Sequence, residues 1–304
     1  MQKNLAKWRN FFGVLVSFAA MVGNGGVWRV VGAFVCLLGA WTAEGLAVPR
    51  QVNARHSTVE LITAGERPDK DGGLWIGVRF RLEPGWHIYW KNPGDAGQPP
   101  SVSWQLPPGG RAADFEWPAP ERIPLDMLVN YGYSRDVVLP VRLTLSREIA
   151  SGAMRIGASL RWLICHDVCI PDKASLQLSL PLGDTERKQL PDWRKGIEEA
   201  RNRVPRALPQ SWEAGAVSRP EVFVVALKMD RPAPGRAVFF PADVGQINDS
   251  APQEVIAVGR ELKITLRKSD QLSSEPRVLR GVVAFPNGEA YAAEVPVGSD
   301  ADLR

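Results

Sequence analysis

From about Val48 onward, short runs of alternating apolar and polar residues recur, and proline or glycine closes off most of them. LWIGVRFRL (74–82), VVLPVRLTL (137–145), MRIGASLRWLI (154–164) and ASLQLSL (174–180) carry the two-residue period of a strand with one face buried and one in water. Between them lie EPG, KNPGDAGQPP, LPPGG and WPAPERIP, stretches rich in residues that turn a chain. The 25 prolines and 28 glycines are spread evenly, which favours many short strands over long helices. Strands at this spacing predict a β-sandwich.

The pattern pauses once. DTERKQLPDWRKGIEEARNRVPRALPQ (184–210) is charged, and Leu190, Trp193, Ile197, Ala200 and Val204 recur at spacings of three and four, one apolar helical face that predicts a packed connecting helix. Strand patterns then resume in EVFVVALKM (221–229), RAVFFP (236–241), EVIAV (254–258), ELKITLRK (261–268), RVLRGVVAF (277–285) and AYAAEVPV (290–297), with PNGEA (286–290) as a hairpin turn. A length of 304 residues suits two domains. The expected organisation is all-β: a sandwich over 48–183, a partly helical linker over 184–214, and a smaller sandwich over 215–300. This last part contains neither cysteine nor histidine, so its expected role is to support or orient the first.

The N-terminus has another character. FFGVLVSFAAMV (11–22) and VVGAFVCLLGAW (30–41) are apolar, but each falls short of the roughly 20 residues of a membrane span. Arg29 precedes the second run, and TAEGLA follows it with small residues at Gly45 and Ala47, the layout of an export signal cut after Ala47. Met21 to Ala47 alone would make a signal of ordinary length. Residues 1–47 are thus read as a signal peptide or a membrane anchor, and either places the body of the chain in an oxidising compartment. The formal net charge of +4 is mild and the arginines are scattered, so no nucleic-acid partner is expected. GxSxG, HExxH and phosphate-loop motifs are absent from the sequence.

Apart from Cys36 in that N-terminal segment, the cysteines are Cys165 and Cys169, within RWLICHDVCIPDK (161–173). On a straight strand, residues four apart lie about 13 Å from each other. A disulfide needs Cα atoms roughly 4.4–6.8 Å apart, so bonding requires a turn through His166, Asp167 and Val168. Facing residues of an antiparallel ladder meet that distance. As a staple the pair is poor: so small a ring contributes only about 2 kcal/mol in the chain-entropy model. As a metal clip, Cys165, Cys169 and His166 supply three donors where structural zinc takes four, although soft thiolates suit Cu(I). As a redox pair it is well placed, since a short disulfide at a turn is accessible to attacking thiols. His166 and Asp167 either tune the thiols, a protonated histidine favouring a thiolate, or are turn residues in water. A structural bridge, a soft-metal site and a reversible dithiol all stay open at this point.

Several longer motifs carry a resemblance. GWHIYWKNPGDAGQPPSVSW (85–104), WPAPERIP (117–124), VNYGY (129–133) followed by LPV, and WLICHDVCIPDK (162–173) resemble, in order through most of residues 50–183, the N-terminal periplasmic domain of the DsbD-type protein-disulfide reductases. The branch that includes the suppressor-of-copper-sensitivity proteins is nearest, and FFPADVGQINDSAPQ (239–253) is similar to that branch as well. The resemblance implies immunoglobulin-like sandwiches and a redox-active dithiol, matched here by Cys165 and Cys169, that works without a cofactor or metal. It implies a periplasmic component of protein-disulfide reduction, related to copper tolerance or cytochrome c maturation. Electrons would arrive from a membrane-embedded thiol reductase and pass to thioredoxin-like or disulfide isomerase-type acceptors. Full-length family members continue into a multi-span membrane domain and a thioredoxin-like domain, which this sequence does not contain, so the expected donor is a separate protein. The alternative is a copper-handling or binding protein with the cysteines as soft ligands.

The family also covers its cysteines with an aromatic loop. MLVNYGYSR (127–135) matches its place, which makes Tyr131 and Tyr133 the candidates to lie over the sulfurs. In WHIYW (86–90), Trp86, Ile88 and Trp90 are expected on a core face, with His87 and Tyr89 opposite. Tyr89 is a candidate to line the cysteine pocket, and His87 is expected at the surface.

Overall fold

The computed structural model describes residues 48–145, 153–181 and 191–298. The expected export signal or anchor at 1–47 lies outside them. Among the described residues, no helix is long and apolar enough to cross a membrane.

The strand patterns fold where their period says they should. In chain order the elements are β1 (Gln51–Ala54), β2 (Ser57–Thr63), β3 (Gly73–Leu82), β4 (Ile88–Gly94), β5 (Ser101–Gln105), β6 (Arg111–Ala112), β7 (Glu121–Leu125), β8 (Leu128–Tyr133), β9 (Val137–Thr144), β10 (Ala153–Cys165) and β11 (Cys169–Pro181). Then follow α1 (Arg194–Asn202), β12 (Arg206–Ala207), β13 (Glu213–Ser218), β14 (Val222–Lys228), β15 (Val238–Pro241), β16 (Glu254–Val258), β17 (Glu261–Arg267), β18 (Val278–Ala284) and β19 (Ala290–Gly298). The architecture is all-β with immunoglobulin-like sandwiches.

In the N-terminal half, a five-stranded sheet ordered β1-β2-β3-β9-β6 faces a three-stranded sheet ordered β11-β10-β5. Alternate residues fill the space between them: Val59, Leu61, Ile76, Val78, Phe80, Leu139 and Val141 from one side, Ile156, Leu160, Trp162, Leu176 and Leu178 from the other. Phe80 meets Trp162 edge to face at 5.5 Å across the gap. Pro171, which can donate no ladder hydrogen bond, is tolerated because β11 is an edge strand. A third sheet, ordered β4-β8-β7, carries the WHIYW segment. The C-terminal half builds one sheet, ordered β15-β18-β19-β13-β14-β17-β16 with β12 beside β19, around its own core of Phe223, Val225, Phe239, Leu262, Ile264 and Val283.

Helix α1 buries Ile197 and Ala200, two members of the apolar face read from the sequence. It rests on β9 and β3. The Arg201 guanidinium lies 3.8 Å from the centre of the Trp75 ring, and that of Arg79 lies 4.5 Å from Trp193, pairings of cation and aromatic face that hold the helix to the sheet.

The two halves share buried surface. Phe240, Val282 and Ala290 belong to the N-terminal core, and Phe240 touches both Trp90 and Tyr131 edge to face. Polar groups are matched at the same place. The Asn92 side chain, 0% exposed, donates to the Pro241 carbonyl at 2.9 Å, Arg122 donates to the carbonyls of Asp249 and Ala251, and the Tyr131 hydroxyl donates to Asp249 Oδ1 at 2.9 Å.

Burial pushes the Asp249 carboxyl up from its ordinary value to about 6, against the pull of Tyr131 and Arg122. A raised value in the folded state favours folding below the unfolded value of 3.8, and that contribution is lost as pH rises through about 6. Asp249→Asn keeps an oxygen that accepts from Tyr131 but never ionises. The variant should match the parent near pH 4 and exceed its stability at pH 7 by about 2 kcal/mol. Thermal melts of both proteins at the two pH values measure this difference, in which every other titrating group cancels.

Candidate functional site

The long β10–β11 hairpin stays in register from Ala153 opposite Pro181 to Cys165 opposite Cys169. His166, Asp167 and Val168 form its tip, closed by a hydrogen bond from the His166 N–H to the Val168 carbonyl. The cysteines are the last facing pair of the ladder, with Cα atoms 4.2 Å apart, and their sulfurs are joined in a disulfide. The turn that bonding requires is therefore built by strand pairing, and the bond adds little to a hairpin already held by thirteen facing residue pairs.

The two sulfurs differ in surroundings. Cys165 is 0% exposed and Cys169 is exposed. On the buried side, the chain just before β4 pairs with the hairpin tip: the His87 N–H donates to the Cys165 carbonyl at 2.9 Å, and the Cys165 N–H returns the bond at 3.0 Å. This bridge sets the face of Cys165 against that of His87 and Tyr89. The Tyr89 hydroxyl reaches both sulfurs, 2.9 Å from Cys165 Sγ and 3.3 Å from Cys169 Sγ. Burial raises the pKa of the Tyr89 phenol, so it stays protonated and acts as a donor. A bonded disulfide has no proton to give, so the hydroxyl donates to sulfur.

Tyr131 and Tyr133 lie elsewhere than the sequence suggested. Across the β4–β8 pair, Tyr89 is opposite Gly132 and Ile88 is opposite Tyr133. Facing residues share a side of the sheet, so Tyr131 and Tyr133 lie on the side away from Tyr89 and the sulfurs. Both are buried, and their hydroxyls are engaged by Asp249 and by the Pro118 carbonyl. The sequence motif located the strand, but the aromatic group that meets the sulfurs comes from the neighbouring strand.

The tip residues face outward. His166 and Asp167 contact each other through Nδ1 and Oδ2 at 2.9 Å, and both side chains are substantially exposed. Trp86 lies 5.8 Å from the His166 ring and stacks flat on His56 at 3.8 Å. With Val168, 62% exposed, these rings form an apolar and aromatic rim beside the disulfide. His87, expected at the surface, is instead 2% exposed, because the bridge to Cys165 closes the hairpin over it. Among the described residues, no group of three or more histidine, cysteine, aspartate or glutamate side chains is arranged to hold a metal ion.

Two further residues shape the site without a sequence signal. Gly97 adopts a φ of +110°, and a Cβ there would sit 2.2 Å from the Tyr89 ring, so only glycine lets that loop lie on the tyrosine. Asn130 lies on the Tyr89 side of β8, 1% exposed, with neither atom of its amide hydrogen-bonded. No local pattern distinguishes either from an ordinary loop glycine or strand asparagine.

Comparison with known proteins bears on this arrangement. Residues 59–181 match the family described as Thiol:disulfide interchange protein DsbD, N-terminal. The match takes in the disulfide hairpin, Tyr89 and His87. The crystal structure of the N-terminal periplasmic domain of ScsB from Proteus mirabilis is similar over 82% of this chain and 97% of that one, with a TM-score of 0.63 and 20% identity, a likeness of fold. The periplasmic chaperone SfaE aligns over 79% of this chain and 100% of its own at 10% identity, but its TM-score of 0.17 carries no argument. No curated protein matches the chain.

Proposed function

We propose, from the premise that residues 59–181 are a DsbD-type N-terminal domain similar to that of ScsB, that this chain exchanges thiols and disulfides with partner proteins through Cys165 and Cys169. The observation that carries the reading is the asymmetry of the pair: one cysteine exposed at the hairpin tip, on the side a visiting thiol approaches, and one buried cysteine whose sulfur lies under a hydroxyl donor.

A partner thiolate attacks Cys169 Sγ along its open side. The bond to Cys165 breaks and its electron pair leaves on Cys165 Sγ, while the partner and Cys169 become a mixed disulfide. The Tyr89 hydroxyl, already 2.9 Å from the departing sulfur, stabilises the new negative charge where water is excluded. A second partner thiol then releases Cys169. Run the other way, reduced Cys169 attacks an acceptor disulfide and Cys165 resolves the intermediate. The second sulfur is held next to the first, so resolution is effectively intramolecular and fast. His166 and Asp167, at the exposed tip, are placed to meet the partner and to bias the charge near Cys169.

In the cell, this reading makes the chain a relay. It accepts electrons from a membrane-embedded reductase and hands them to thioredoxin-like or disulfide isomerase-type proteins. A periplasmic location is supported by the similar ScsB structure, which is titled a periplasmic domain. The C-terminal half, packed on the side of β4 and β8 remote from the sulfurs, holds the Tyr89 strand in position.

Equilibration in glutathione buffers tests the exchange. The pair should titrate with a potential above about −300 mV, because structural disulfides usually lie below that value. In a time course of reduction by glutathione, Tyr89→Phe should slow the reaction roughly 30-fold, the loss of one hydrogen bond of about 2 kcal/mol to a charged group. A pair that stays oxidised under strong reductant would make the bridge structural.

A further inference from the structure

The protein has three histidines: His166 lies between the two cysteines in the chain, His87 pairs with Cys165, and His56 stacks on Trp86 beside His166. His56 and His166 flank Trp86 on the outside. His87 differs from both. It is 2% exposed, its ring packs edge-on against Tyr89 at 5.3 Å, and its Nε2 is buried without a hydrogen-bond partner. An unsatisfied buried polar atom costs about 1–3 kcal/mol, so one kept at this position calls for a function. Its main chain exchanges both hydrogen bonds with Cys165, the geometry that puts two Cα atoms about 5.5 Å apart with side chains on one face.

When the disulfide opens, Cys165 Sγ acquires a charge in a place that water does not reach. Tyr89 donates a hydrogen bond to it but, as a protonated phenol, has no capacity to take up a further proton. The charged and titratable groups that face His87 are Cys165, Cys169 and His166 on the hairpin, Tyr89 on its own segment and Glu121 on β7. Of these, Glu121 is occupied by Ser134, and His166 opens to solvent. The imidazole of His87 shares a face with the Cys165 side chain and packs on Tyr89, which leaves it as the candidate base on the enclosed side.

We propose that His87 is the proton partner of Cys165, binding a proton when the buried thiolate forms and returning it when the disulfide closes. This rests on the exchange reading above and adds the path of the proton. On reduction, the electron pair of the broken sulfur–sulfur bond goes to Cys165 Sγ, and a proton from solvent is taken by His87, which gives an imidazolium–thiolate pair. On reoxidation, Cys165 thiolate attacks Cys169 Sγ of the mixed disulfide, the acceptor's sulfur leaves with the electron pair, and the His87 proton departs with it. In the oxidised protein, burial and then the charge of His166 hold the His87 pKa below its ordinary value, so the empty proton site is ready.

Thiolate absorbance tests this without any partner protein. In a Cys36→Ala, Cys169→Ser chain, Cys165 is the single thiol, and its pKa should rise by about one unit or more when His87→Gln is added, the size of effect an opposite charge within a few ångströms exerts. An unchanged Cys165 pKa would overturn the proposal. Proton NMR of the His87 ring in the chain with both cysteines gives a measure that needs no buried substitution. The ring should titrate at higher pH in the reduced than in the oxidised protein, and equal values in both states would also overturn it. Exchange with glutathione, followed alongside, separates the two readings. Retained exchange without the titration shift removes the role of His87 alone, whereas a titration shift without exchange removes the relay and leaves the proton coupling.

Discussion

A Cys165→Ser chain will accumulate mixed disulfides with its partners, and a Cys169→Ser chain will not. In a Cys36→Ala background either substitution leaves one thiol, so chemistry alone predicts equal behaviour. Burial breaks the symmetry. With Cys165 replaced, the exposed Cys169 still attacks, and the intermediate lacks its resolving thiol. Effective molarities for well-placed intramolecular groups reach about 10⁵ M and more, so losing that thiol should lengthen the life of the adduct by at least ~1000-fold against competing thiols in solution. With Cys169 replaced, the remaining sulfur is 0% exposed beneath Tyr89 and the His87 bridge, and no partner disulfide fits against it. Non-reducing electrophoresis with mass spectrometry identifies the trapped species. Rates of alkylation of the single thiols give the same contrast without partners. Equal trapping by both variants would mean that the hairpin tip opens freely and that the buried side of the site has no bearing on direction of attack.

Gly132→Ala should be the most damaging single methyl group that can be added near the site. A Cβ at Gly132 would stand 2.1 Å from the Ile88 carbonyl oxygen, 3.1 Å from its carbon and 3.2 Å from Tyr89 Cα. All three are backbone atoms, so no rotamer change relieves the overlap. Strand β4 must move away from β8, and β4 carries Tyr89 toward the sulfurs and Asn92 toward the Pro241 carbonyl. Overpacking a close contact of this kind costs about 3 kcal/mol. In a domain of this size that corresponds to a melting temperature lower by roughly 10 °C. Exchange should slow as well, because Tyr89 leaves its place. Gly235→Ala, where a Cβ would meet nothing within 4 Å, provides the control and should alter neither quantity. An unshifted melt for Gly132→Ala would show that the two strands do not hold the register described.

Much of the site was legible because it is local. The five residues from Cys165 to Cys169 had to turn if the sulfurs were to meet, and the alternating runs on either side supplied the strands of a hairpin. WHIYW put His87 and Tyr89 on one face, which is how they lie. The mistaken expectations concern the other side of that face. Tyr131 and Tyr133 were candidates to lie over the sulfurs because their motif matches the family's cap loop in its place along the chain, yet the β4–β8 register turns them toward Phe240, Asp249 and Pro118. His87 was read as a surface residue because strand alternation says which residues share a side, not whether that side is covered.

By itself, then, the amino-acid order settled the strand content, the bend between the two cysteines and the partition of neighbouring side chains into opposite faces, since each follows from backbone geometry over a few residues. Only tertiary structure decided which of the two cysteines is exposed, which tyrosine meets their sulfurs and that a histidine without a hydrogen-bond partner at Nε2 pairs with the buried one. Those outcomes depend on pairings such as His87 with Cys165 and Tyr89 with Gly132, made by segments more than forty residues apart, and nothing in a short window of sequence encodes the register between such distant strands.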